Sequence, residues 1–139
     1  MSRENKRKQG GFTLIELISV IIILGILAAV ITPKYFDMTS KATEAAGKGA
    51  FSEGVGRLNL AYSRFILDNN QVPGTDAASG LALLQTNSTY LGPNPVDLGD
   101  YRLQYAVDGT TDIRIEVYRE SGNTLGALVY NATLPWPTD

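Results

Sequence analysis

The sequence predicts an α+β protein: a long N-terminal α-helix, half apolar and half amphipathic, packed on a small antiparallel β-sheet. Three observations predict it. From Phe12 to Ile31 only Thr13, Glu16, Ser19 and Gly25 interrupt an apolar run. From Lys34 to Leu67 apolar residues recur at three- and four-residue spacing, the period of one helix face. From Tyr101 to Leu134 three short segments alternate apolar and polar residues, the period of half-buried strands.

The first segment, Phe12–Ile31, is long enough as a helix to cross the ~30 Å hydrocarbon core of a bilayer. It follows Arg3, Lys6, Arg7 and Lys8, and such a basic flank predicts a cytoplasmic N-terminus. Glu16 is out of place in it. A charge inside an apolar span is costly, so such a residue is a functional candidate by default. A cleavable secretory signal would use the small residues of "ILAAV". Its apolar region is shorter, however, and carries no glutamate. A plain single-pass anchor has no use for the charge, unless Glu16 snorkels to the headgroups.

Composition narrows the chemistry. The 139 residues fit one modest domain, and 44% are hydrophobic. Cysteine and histidine are both absent. That excludes disulfides, Cys/His zinc sites and Cys- or Ser–His catalysis. Carboxylate-only catalysis has no positive support, so no enzyme is expected. The basic flank holds four of the 12 basic residues and one of the 14 acidic ones, Glu4, so the remainder carries a formal net charge of −5. An acidic remainder argues against nucleic-acid binding, which needs phosphate neutralisation.

"GGFTLIEL" resembles the class III signal of type IV pilins and type II secretion pseudopilins. That signal is a basic leader ending in Gly, then Phe-Thr-Leu-Ile-Glu, then a long apolar helix. The similarity runs through residues 5–65. The continuation "LGILAAVITPKYFDM" is closest to type IVa pilins of the mannose-sensitive-haemagglutinin type. The resemblance implies the pilin fold and five segments. These are a leader at 1–11, a transmembrane and filament-core helix at 12–33, an amphipathic helical half at 34–67, a variable loop at 68–100, and a sheet and tail at 101–139. It implies prepilin-peptidase cleavage between Gly11 and Phe12 and N-methylation of Phe12. Glu16 would register subunits by approaching a neighbour's Phe12 amine. A glycine before the scissile bond suits a narrow protease site, although a flexible linker would read the same way. The implied partners are copies of the chain in a helical filament, the peptidase, an inner-membrane assembly platform and the membrane. The implied role is a pilus subunit; the rivals are a type II secretion pseudopilin and a membrane-anchored binding domain.

Pro33 removes one helical hydrogen bond and clashes with the carbonyl four residues earlier. A kink or melted stretch is therefore expected between Gly25 and Pro33. In filaments of this family that stretch loses helicity; an ordinary kink is the plainer reading. Further on, Ala42, Ala45, Ala46, Phe51, Val55, Leu58, Tyr62, Phe65 and Ile66 make the apolar face. Gly47, Gly49, Gly54 and Gly56 admit two readings, close helix packing in a filament or a weak, bending helix. Aromatic residues from Phe12 to Phe65 are read as packing rather than as a conducting stack.

Asp68-Asn69-Asn70 and Pro73-Gly74 end the helix, and "ASGLALLQT" is a short helix within the loop. "YRLQYAV", "DIRIEVYRE" and "ALVYNATL" form a three-stranded meander, with turns at Asp108-Gly109 and Ser121-Gly122-Asn123. Trp136, between two prolines, tucks the tail onto the head. Calcium binding by major pseudopilins draws attention to Asp97, Asp100, Asp108 and Asp112, but their spacing matches no calcium loop. Solvated turn aspartates are the stronger reading, and no other cofactor is expected. Asn87 and Asn131 sit in N-x-T/S sequons, a weak signal. The family's usual C-terminal disulfide loop cannot form here.

Overall fold

The computed structural model describes residues 11–122 and 124–137. The chain divides into two compact units, residues 1–40 and 41–139. Helix α1, Leu14–Asn69, contributes to both. Helix α2 is Ala77–Thr86, and the strands are β1 (Val96–Asp97), β2 (Tyr101–Asp108), β3 (Asp112–Ser121) and β4 (Thr124–Pro135). They form one antiparallel sheet in the order β1-β2-β3-β4.

In the N-terminal unit every residue from Phe12 to Ile31 is exposed. Its side chains are apolar on every face except at Thr13, Glu16 and Ser19, and among the described residues none is buried. Two hydroxyls, one within it and one just past its end, bond to their own helix: Ser19 Oγ donates to the Ile15 carbonyl and Thr32 Oγ1 to the Ala28 carbonyl, both at 2.7 Å. Residues 25–33 are helical throughout, with Pro33 inside α1. The melted stretch expected there is not a feature of the single chain.

In the second unit, α1 from Gly47 to Asn69 lies on the inner face of the sheet. Leu58, Ala61 and Phe65 meet Ala77, Leu81 and Leu84 of α2 and Leu103, Tyr105, Ile113, Ile115 and Val117 of the sheet. Alternation on β3 places Ile113, Ile115 and Val117 fully inside. On the outer face Arg114 pairs with Glu116 at 3.0 Å and with Asp108 at 3.5 Å, and Arg102 pairs with Glu120 and Asp97. Ala42, Ala45 and Ala46, expected on the apolar face, are exposed. Gly47 and Gly54 are buried instead.

These two glycines divide from the other pair. A Cβ on Gly47 would stand 2.6 Å from Val129 Cγ1, and one on Gly54 would stand 3.1 Å from Leu103 Cδ1. Gly49 and Gly56 face open space. The first pair therefore lets the helix backbone come close to its own sheet. The closeness has a polar use: the buried Tyr105 hydroxyl donates to the Gly54 carbonyl at 2.9 Å. Burial pushes that phenol well above its ordinary range.

Helix α1 stops at Asn70, whose φ of 52° is the left-handed conformation of a helix C-cap. Asp76 starts α2, its carboxylate accepting from the Ser79 N–H at 2.9 Å. The sheet has four strands rather than three. The extra one, β1, is only two residues long, and Asn94 beside it bonds to both the N–H and the carbonyl of Tyr105. Register shifts between Val117 and Glu120 put extra residues into β4, which begins at Thr124 rather than Ala127. The tail packs as expected. Trp136 is 3% exposed, its ring 5.5 Å from that of Tyr62 in an edge contact, and its backbone N–H donates to the Thr111 carbonyl.

The Trp136 ring lies directly on Gly80, where a Cβ would stand 2.0 Å from Cζ2 and 2.5 Å from the Pro73 carbonyl. Neither neighbour can yield without moving α2 or the tail. Gly80→Ala is therefore expected to destabilise the head by about 3 kcal/mol, at the upper end of overpacking costs. Gly49→Ala meets nothing and should be neutral or stabilising by up to about 1 kcal/mol. Urea unfolding of the detergent-solubilised chain, followed by the fluorescence of its one tryptophan, measures both.

Candidate functional site

The candidate site is the start of α1, and local hydrogen bonding explains why the helix begins there. Gly11, Phe12 and Thr13 precede the helix and are exposed. The Thr13 N–H donates to Glu16 Oε2 at 2.9 Å, and the Glu16 N–H donates to Thr13 Oγ1 at 3.4 Å. This reciprocal pair is a capping box, Thr-x-x-Glu, satisfying two backbone donors that the first turn leaves orphaned. A carboxylate in the first turn also meets the positive end of the helix dipole. Glu16 thus has a partner within its own chain, one that the sequence reading missed. The signal was present as Thr13-Leu14-Ile15-Glu16 ahead of an apolar run.

Phe12 is 93% exposed. With Glu16, Leu17 and Val20 it lines a shallow apolar hollow, so the residues expected at the processing and registry sites share one end of the helix. Gly11 has nothing near its Cα that a side chain would meet. Residues 1–10, most of the expected leader, lie outside the described residues. Gly25 also faces open space, and it and Pro33 lie farther along α1, away from Glu16.

Residues 6–32 match the family model described as the prokaryotic N-terminal methylation motif. The chain is 33% identical over 117 residues to the type II secretion system core protein G of Pseudomonas aeruginosa, covering 76% of this chain and 78% of that protein. It is 32% identical over 129 residues to a fimbrial protein of the same species, covering 88% and 78%. The chain belongs to the type IV pilin and type II secretion pseudopilin family. A fimbrial protein of Neisseria meningitidis serogroup B is 40% identical over 74 residues, and there the match spans 41% of the relative. No solved structure gives a significant match. The family is one of structural subunits, and the long helix on an antiparallel sheet is a pilin-like fold.

The four aspartates considered for a pseudopilin-like calcium site do not come together. Asp97 and Asp100 flank the β1–β2 turn, and Asp108 and Asp112 flank the β2–β3 turn at the other end of β2. Asp97 accepts from the Gly99 N–H at 2.7 Å, and Asp108 is held by Arg114 and by Thr133 at 3.2 Å. Among the described residues no three His, Cys, Asp or Glu side chains are placed to hold a metal ion.

The capping box makes a local prediction. Thr13→Ala removes the side-chain acceptor for the Glu16 N–H and should cost about 1 kcal/mol of helix-start stability, while Thr13→Ser should cost little. Amide hydrogen exchange in micelles reads this as faster exchange at Glu16 and Leu17 in the alanine variant alone.

Proposed function

We propose that this chain is the prepilin of a type IV pilus-like filament, cut after Gly11 by prepilin peptidase, methylated on Phe12 and assembled from the inner membrane through its N-terminal helix. The observation that carries the reading is the segment Phe12–Ile31: wholly exposed, apolar on every face, and interrupted near its start by one carboxylate. The match to the methylation motif over residues 6–32 supports it. The N-terminus stays cytoplasmic by the basic-flank rule, and the head lies in the periplasm.

The chemistry of assembly follows from solvation. In the bilayer the apolar segment is matched to lipid tails. In a filament the same side chains pack against copies of themselves, and van der Waals contact replaces lipid contact. Cleavage leaves an amine on Phe12. As the helix enters the filament, the Glu16 carboxylate meets a low-dielectric environment, where an unpaired charge is strongly disfavoured. A neighbour's Phe12 amine within reach relieves that penalty and fixes the axial step. Loss of helicity between Gly25 and Pro33 would lengthen the subunit there. The resulting role is structural, not catalytic.

A periplasmic pseudopilus is the second reading, favoured by the similarity to type II secretion core protein G. Shearing separates the two: long filaments in the sheared fraction identify a pilus, and a subunit confined to the cell envelope identifies a pseudopilus.

Glu16→Gln tests the registry role. Glutamine can hold the capping box but carries no charge to pair with an amine. The variant should insert and fold as the native chain does, while assembled filament falls roughly tenfold or more. Undiminished filament would leave Glu16 with its capping role alone.

A further inference from the structure

Just past the apolar run, the helix carries Lys34, Tyr35, Phe36 and Met38, all exposed, the two rings at 66% and 71%. Val30, Ile31, Lys34, Tyr35 and Met38 line one shallow, largely apolar hollow. A cation and an amphipathic ring closing an apolar helix are the chemistry of the membrane–water interface. The ring sits at headgroup depth and the ammonium reaches the phosphates.

Pro33 fits the same depth. Proline has no N–H, so the Ala29 carbonyl cannot receive its usual helical donor. Such a carbonyl is tolerated where water or headgroups can reach it and is costly in hydrocarbon. The hydroxyls of Ser19 and Thr32, by contrast, are satisfied by their own helix. Lys34 lies eighteen residues beyond Glu16, a helical rise of about 27 Å, close to the ~30 Å core.

We propose that Lys34, Tyr35 and Phe36 form a headgroup girdle that sets the depth of the unassembled chain and so holds Glu16 at the opposite boundary of the bilayer. The occupant is the phosphate layer of the leaflet on the head side. Lys41, two turns on, adds to the positive charge, and Asp37 subtracts from it. The inference rests on the membrane-spanning reading and gives Glu16 a different waiting state. Its carboxylate sits among headgroups and water, capped by Thr13, and is stripped of them only when the helix leaves the bilayer. Extraction, rather than insertion, is then the step that penalises an unpaired Glu16.

The chain has no cysteine, so a single introduced thiol reports depth without interference. The full chain is placed in nanodiscs of phosphatidylcholine and phosphatidylglycerol and treated with a charged, membrane-impermeant maleimide. Thr13→Cys should label readily, Val20→Cys slowly and Leu17→Cys between them. Adding Lys34→Leu and Tyr35→Leu moves the next polar residue to Asp37, three residues or about 4.5 Å along the helix. The helix then slides toward the N-terminal side, and labelling of Leu17→Cys rises several-fold. Unchanged labelling of Leu17→Cys overturns the girdle. A chain that fails to migrate with the disc lipid removes the membrane reading and the girdle with it.

Discussion

Twenty consecutive residues, Phe12–Ile31, are all exposed among the described residues, and the rest of the molecule follows from that constraint. Thirteen of them are Leu, Ile or Val, each exposed. At about 1.5 kcal/mol or more per buried side chain, leaving them in water forfeits on the order of 20 kcal/mol. That exceeds the ~5–15 kcal/mol net stability of a typical domain. The segment therefore requires lipid or other copies as its solvent. A chain that exchanges one for the other needs a helix apolar on every face, with few polar groups left unsatisfied. Ser19, Thr32 and the Thr13–Glu16 cap each meet that demand within the helix.

The head solves a separate problem, which is to bury a helix on a small sheet without a large core. It does so by close approach. Gly47 and Gly54 let α1 lie near β4 and the centre of the sheet, and the Tyr105 hydroxyl ties the Gly54 carbonyl to β2. Gly80 admits Trp136 in the same way, closing the tail over α2 without a disulfide. Ion pairs on the outer face engage four carboxylates with two arginines. The acidic outer surface is thereby partly neutralised while the inner face stays apolar.

Much of this was legible in the sequence, because periodicity reports faces. The apolar run, the alternation of Ile113, Ile115 and Val117, the short helix after Asp76 and the two hairpin turns depend on local pattern. What escaped depends on partners distant in sequence. A glycine does not announce what approaches it, so Gly47 and Gly54 could not be told from Gly49 and Gly56. The alanines at 42, 45 and 46 have helical spacing but no sheet beneath them. Strand β1 exists because Asn94 and the loop fold back on β2, and the early start of β4 depends on its bulged register with β3. The capping box was local and could have been read. The cost of a charge in an apolar run drew attention away from the threonine three residues before it.

The central claim is that Phe12–Ile31 is kept as the working part of the mature protein. The intact mass of the protein from its native membrane or surface fraction tests this most directly. The account predicts a chain that begins at Phe12 and is heavier by one methyl group. A chain that still carries Met1–Gly11, or one cut beyond Ala29, would contradict it.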